Sequence, residues 1–106
     1  MIRTVLTLKV APGQADALVE TFRELQILET SIAQEGCLAT EIAVSEDQSE
    51  AIVTATWADR GAYARWTARD DRGSHEESIG RCLREPMTAE TVGATYEVRY
   101  RRVSRD

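Results

Sequence analysis

The sequence predicts an α+β fold with elements in the order β-α-β-β-α-β. Three observations predict it. Residues Ile2 to Val10 alternate in character with a period of two, the spacing becomes helical after Pro12-Gly13, and two more period-two runs are separated only by the polar stretch Ser45 to Glu50. With 106 residues, 42% hydrophobic and 29% charged, the chain has the size and balance of one globular domain spanning 1–106.

The elements follow in order. In the first strand, Ile2, Thr4, Leu6, Leu8 and Val10 share one face, while Arg3, Val5, Thr7 and Lys9 share the other. From Gln14, the residues Leu18, Phe22, Leu25, Leu28 or Glu29, and Ile32 recur at helical spacing, which predicts one long amphipathic helix. Gly36 suits the left-handed position that ends many helices. The second strand runs from Cys37 to Val44, with Leu38, Thr40, Ile42 and Val44 on one side, and the third from Ala51 to Trp57.

Asp59 then suits the N-cap of a short helix that carries Ala62, Tyr63 and Trp66 on one face. Asp70 to Gly73 reads as a break. Ser74 and Glu77 have capping-box spacing, and His75, Ile79, Cys82 and Leu83 form a stripe on a second helical piece running towards Pro86. The final strand is expected from Val92 to Val103, with Val92, Ala94, Tyr96, Val98 and Tyr100 on one face. The whole is a ferredoxin-like arrangement with one four-stranded antiparallel sheet and both helical segments on the same side. Apolar residues on both sides of the third strand, among them Ile52, Val53 and Ala55, predict that a second copy covers the other face as a homodimer.

Composition excludes several partners. A net charge of −5 argues against nucleic acid, which requires concentrated positive charge. The one basic cluster, Arg99, Arg101, Arg102 and Arg105, alternates with Tyr100 and Val103 as a solvated strand edge would. No apolar run approaches the ~20 residues that span a bilayer, and the first residues lack a signal-peptide core, so a cytoplasmic protein without membrane contact is expected. Cys37 and Cys82 have no metal-ligand or redox spacing and read as buried thiols. No phosphate loop, zinc-ligand cluster or Ser/His/Asp order is present.

The stretch Thr56-Trp57-Ala58-Asp59-Arg60-Gly61-Ala62-Tyr63-Ala64-Arg65-Trp66, with His75 nine residues after Trp66, resembles the antibiotic biosynthesis monooxygenase (ABM) superfamily of dimeric α/β-barrels. The resemblance covers nearly the whole chain, from the opening strand and Pro-Gly turn to the terminal strand. It implies a cofactor-independent monooxygenase in which O2 oxidises a planar, polyketide-type phenol held between sheet and helices. Trp66, His75 and Thr7 are then the candidate catalytic residues. Tyr63, Trp57, Phe22 and Ile79 are the candidate substrate-binding walls, and no metal is used. Trp66 and His75 also match, in order and spacing, the Trp and axial His of IsdG-type heme-degrading enzymes, which would make heme the ligand and His75 the iron ligand. Both branches use an asparagine, on strand one in the heme enzymes, and this chain contains none; its strand-one position falls on Leu6 or Thr7. A ligand-binding dimer without turnover, or a polyketide cyclase, is therefore a further reading.

Simpler roles exist for the same residues. His75 near a helix start is also explained as a half-buried side chain held by Glu76, Asp71 or a carbonyl. Tyr63 at helical spacing is equally a core residue. Arg23, Arg65, Arg69, Arg84, Glu41 and Asp70 have no distinctive spacing and default to solvated surface.

Overall fold

The computed structural model describes residues 1–69, 75–87 and 93–104. Its elements are β1 (Ile2–Lys9), α1 (Ala15–Glu24), α2 (Ile27–Ile32), β2 (Cys37–Val44), β3 (Glu50–Trp57), α3 (Arg60–Thr67), α4 (Glu76–Gly80) and β4 (Ala94–Glu97). The strands form one antiparallel sheet in the order β2-β3-β1-β4. The register places Ile2, Thr4, Leu6 and Leu8 of β1 beside Trp57, Ala55, Val53 and Ala51 of β3. That face carries the helices. One buried cluster joins Leu8 and Val10 to Leu18 and Phe22 of α1 and to Ile79 of α4, and a second joins Ile2, Ala55 and Trp57 to Ala62 of α3.

The expected single helix is two. Leu25 closes α1, and Gln26 adopts a left-handed conformation (φ 53°, ψ 42°) before α2 begins. One such residue reorients the axis, so the apolar phase of α1 does not continue into α2. Ser31 is consequently buried while Ile32, expected on the inner stripe, is 44% exposed.

Leu38 departs from its expected side for a similar reason. The pairing of β2 with β3 shifts between Cys37 and Ala39, and the extra residue of this bulge, Leu38, turns outward, while Thr40, Ile42 and Val44 keep the inner face. The helical piece expected to reach Pro86 ends at Gly80. Beyond it Cys82 O accepts from Ala11 N (2.9 Å), Arg84 N donates to Lys9 O (3.0 Å), and Leu83 bridges to Val10. Glycine is a poor helix former, and these bonds satisfy backbone groups at the end of β1 that an α-helix would leave open. Ser74, the expected cap of α4, and Asp70 to Gly73, the expected break, lie outside the described residues.

β4 is much shorter than the expected run. It pairs antiparallel with β1, with Glu97 opposite Ile2, and one more bond joins Val98 N to Met1 O (3.0 Å). The partner strand ends there, so residues 99–104 have no ladder to join. Val92, the first residue of that run, and Arg105 of the basic cluster lie outside the described residues. Ala94 and Tyr96 sit opposite Val5 and Arg3, on the face turned away from the helices. That face also carries Ile52, Thr54, Glu41 and Ala43, while the register turns Val53 and Ala55 towards the helices, so both sides of β3 carry apolar residues as expected.

The β2–β3 connection is organised by Asp47. Its Oδ1 accepts from Ser49 N (3.0 Å), Ser49 Oγ (2.7 Å) and Ser45 Oγ (2.8 Å). These bonds, the Ser49 amide first, lower the carboxyl pKa from 3.8 to about 2. A depressed pKa stabilises the fold above the unfolded value and loses that contribution as pH falls from 3.8 towards 2. The thermal midpoint of the wild-type chain should therefore exceed that of Asp47→Ala at pH 5, with the gap narrowing as the pH falls from 3.8 through about 2. A pH-independent gap would show that the carboxylate's charge is not responsible.

Candidate functional site

A cleft opens between the helix-bearing face of the sheet and the helices. Its volume is about 280 Å³, and its floor is Thr4 and Leu6 of β1 with Val53, Ala55 and Trp57 of β3. Period-two alternation delivers these side chains to one side. The roof is supplied by Phe22 of α1, Ile27, Leu28 and Ser31 of α2, Tyr63 and Trp66 of α3, and Ile79 of α4.

One end is aromatic. The Trp57 ring lies 5.7 Å from Tyr63 and 6.3 Å from Trp66, with tilts of 55° and 31°. These separations fall in the range where aromatic pairs attract beyond their burial. Local sequence sets the arc: Asp59 accepts from Ala62 N (2.8 Å), which starts α3 in the phase that presents Tyr63 and Trp66 to Trp57. The Arg69 guanidinium lies over Trp66, 5.5 Å from the ring centroid.

The polar groups of the wall are few and mostly engaged. Trp57 Nε1 donates to Thr4 Oγ1 (3.4 Å), and Thr40 Oγ1 donates to Thr54 O (3.0 Å). The Ser31 hydroxyl lies 3.7 Å from Cys37 Sγ. The Tyr63 hydroxyl lies beside Gly93, where an added Cβ would be 3.5 Å from it. Glu76 is the carboxylate and Arg69 the cation among the described lining residues. Thr4 thus keeps a hydroxyl hydrogen to donate into the cleft, and Thr40 keeps lone pairs to accept.

Of the residues singled out from sequence, Trp57, Tyr63, Trp66, Phe22 and Ile79 converge on this cleft. Two do not. Thr7 is exposed on the opposite face of the sheet, paired with Ile52, because the same alternation that turns Leu6 inward turns Thr7 outward. His75 is half-buried at the N-cap position of α4 and is not among the lining residues, although its neighbour Glu76 is. Thr4, Thr40 and Ser31 were not singled out as site residues. The signal for the first two was a hydroxyl at an inward position of an otherwise apolar strand face. Ser31 had no such signal, since its burial follows from the break at Gln26.

The described residues include no group of three or more His, Cys, Asp or Glu arranged to hold a metal ion. They also do not fit heme bound through a histidine: His75 is the sole histidine of the chain, and it is not on the cleft wall.

Comparison with known proteins gives the cleft a context. No curated protein matches the chain. Its structure is similar to that of SnoaB from Streptomyces nogalater, described as a cofactor-independent oxygenase and crystallised as an asparagine-to-alanine variant; the TM-score is 0.72 at 16% identity, covering 94% of each chain. A conserved protein from Methanosarcina mazei gives 0.73 at 18% identity over 92% of each chain. Rv0793 from Mycobacterium tuberculosis gives 0.68 at 15% identity, over 97% of this chain and 98% of that one. At these identities the structural similarity shows the shared fold alone. The family described as antibiotic biosynthesis monooxygenase matches residues 1–76, which include β1, the α1–α2 pair, β2, β3 and α3 with its aromatic arc, and the chain belongs to that family.

Proposed function

We propose that the chain is a cofactor-independent monooxygenase that uses O2 to oxidise a planar, polyketide-type phenol in this cleft. The observation that carries the reading is the arc of Trp57, Tyr63 and Trp66 closing one end of a cleft whose floor and roof are mainly apolar, with Thr4 and Glu76 on its wall. Family membership and the similarity to a cofactor-independent oxygenase support it. A flat ring stacked in this arc loses water on both faces, and the substrate's own carbanion then supplies the electrons. In a hydroxyanthrone, the ring methylene loses its two hydrogens and becomes a carbonyl. One oxygen atom of O2 enters the ring and the other leaves as water, so no external reductant is needed. Thr4 Oγ1 donates to the substrate oxygen, and Glu76 is the wall carboxylate that accepts the methylene proton. Thr4 and Glu76 thereby take the polar roles that Thr7 and His75 cannot fill from outside the cleft.

Oxygen uptake with a hydroxyanthrone should be measurable without added metal or cofactor. Trp66→Ala should lower kcat/KM by roughly 10- to 100-fold, the scale of one lost aromatic wall. Ring closure without oxygen uptake would make the protein a cyclase instead, and binding without turnover would make it a ligand-binding protein.

The working form in this reading is a homodimer in the cytoplasm, where the free thiols Cys37 and Cys82 persist. The sheet face away from the helices supports it, since it leaves Ile52 38%, Leu38 50% and Tyr96 56% exposed. Light scattering at micromolar concentration should give twice the 11.8 kDa chain mass, and a value near 11.8 kDa would refute the dimer.

A further inference from the structure

A second cavity, of about 560 Å³, lies between α1, α2 and β2. It is a groove along the edge of the sheet, since β2 is an outermost strand. Three side chains, Phe22, Leu28 and Thr40, wall both this groove and the aromatic cleft. The partition between them is therefore one side chain thick. The rest of the groove is largely apolar, lined by Val19, Ile32, Ala39 and Ile42 together with the charged Arg23, Glu29 and Glu41.

Ile32 is the informative residue. It belongs to a helix that packs on the sheet, yet it is 44% exposed and faces this groove. The break at Gln26 produces that arrangement by turning α2 so that Leu28 reaches the cleft and Ile32 reaches the groove. Size points the same way. The cleft alone, about 280 Å³, lies at the lower limit of the roughly 300–1,000 Å³ usual for small-molecule sites, whereas cleft and groove together fall well inside it.

We infer that cleft and groove form one binding site, and that its ligand is a planar ring system carrying a flexible aliphatic tail. The inference rests on the planar-ligand reading above and adds the substrate class. The ring occupies the arc of Trp57, Tyr63 and Trp66, and the tail crosses the partition at Leu28 and Thr40 to lie against Val19, Ile32 and Ile42. An apolar tail gains by leaving water there, whereas a compact polycycle leaves the groove empty.

Quenching of Trp57 and Trp66 fluorescence measures this without turnover. The probes are dihydroxyanthraquinone and its butyl, hexyl and octyl ring derivatives. Dissociation constants should tighten with tail length, by up to roughly fourfold per methylene buried. In Ile32→Glu and Val19→Glu, both at groove positions away from the cleft wall, the ratio between tailed and untailed ligands should fall towards one. Near-UV circular dichroism verifies that each variant is folded. Equal affinities across the series, or a tail gain that survives both substitutions, would overturn this inference alone. Absence of quenching by every probe would overturn the planar-ligand reading and the inference with it. Failure of oxygen uptake with retained tail-dependent binding would remove the oxygenase reading and leave the shared site standing.

Discussion

Replacing Trp57 with alanine should destabilise the chain by about 3–5 kcal/mol, the usual cost of deleting a buried large aromatic. Trp57 is 1% exposed and is one of the largest fully buried side chains. It packs between Ile2 of the adjacent strand and Ala62 of α3, and it holds Tyr63 and Trp66 in the aromatic arc. Little nearby is placed to fill the void, because the ring already borders an open cleft. Domain stabilities are about 5–15 kcal/mol, so this single change approaches the whole margin of a weak fold. Urea titration followed by far-UV circular dichroism reads the effect. Trp57→Phe is the companion variant: it keeps most of the apolar bulk, loses the Nε1 donation to Thr4, and should cost about half as much or less. A cost below about 1.5 kcal/mol for the alanine variant would show that the ring lines the cleft without supporting the core.

Gly36→Ala should have a comparable effect by a different mechanism. Gly36 has φ +86°, and a Cβ built there would stand 2.5 Å from the Cβ of Ala62, closer than two carbons can approach. Its carbonyl also accepts from Ala58 N (2.7 Å), which ties the end of the α2–β2 connection to the start of α3. Left-handed strain and overpacking each cost about 1–3 kcal/mol, giving roughly 2–6 kcal/mol for the pair. Gly13 provides the control. It has φ +75°, but an added Cβ there meets nothing within 4 Å, so Gly13→Ala should show the backbone strain alone. Adding Ala62→Gly to Gly36→Ala should recover the steric part, read as a positive coupling in a double-mutant cycle on the same urea titrations. Equal costs for Gly36→Ala and Gly13→Ala would show that the contact with Ala62 relaxes freely.

The strands and the inner face of the sheet were legible because a side-chain period of two needs no tertiary information. Cys37–Val44 is the strand read from sequence, and β3 begins one residue earlier than expected, at Glu50. Asp59 caps α3 as its position implied. The aromatic walls were legible for the same reason, since residues of one helical face and one strand end must meet when the helix packs on the sheet. Three features were not. The left-handed Gln26 has no strong local signal, as glutamine neither requires nor forbids that conformation, and this one residue decides that Ser31 and not Ile32 is buried. The bulge at Leu38 is fixed by how β2 meets β3 near Trp57. The end of β4 is fixed by where β1 begins.

By itself, then, the sequence determined the order of the elements, the inner face of the sheet and the identity of the aromatic residues. Those follow from periodicity, capping and turn chemistry, which act over a few residues. Only the tertiary structure decided that Thr4 and not Thr7 meets the cleft beside Trp57, that His75 stays off its wall, and that the cleft shares Phe22, Leu28 and Thr40 with a groove at the sheet edge. Those outcomes depend on strand register and on the angle between α1 and α2. Both are set by contacts between residues distant in the chain, which local pattern does not encode.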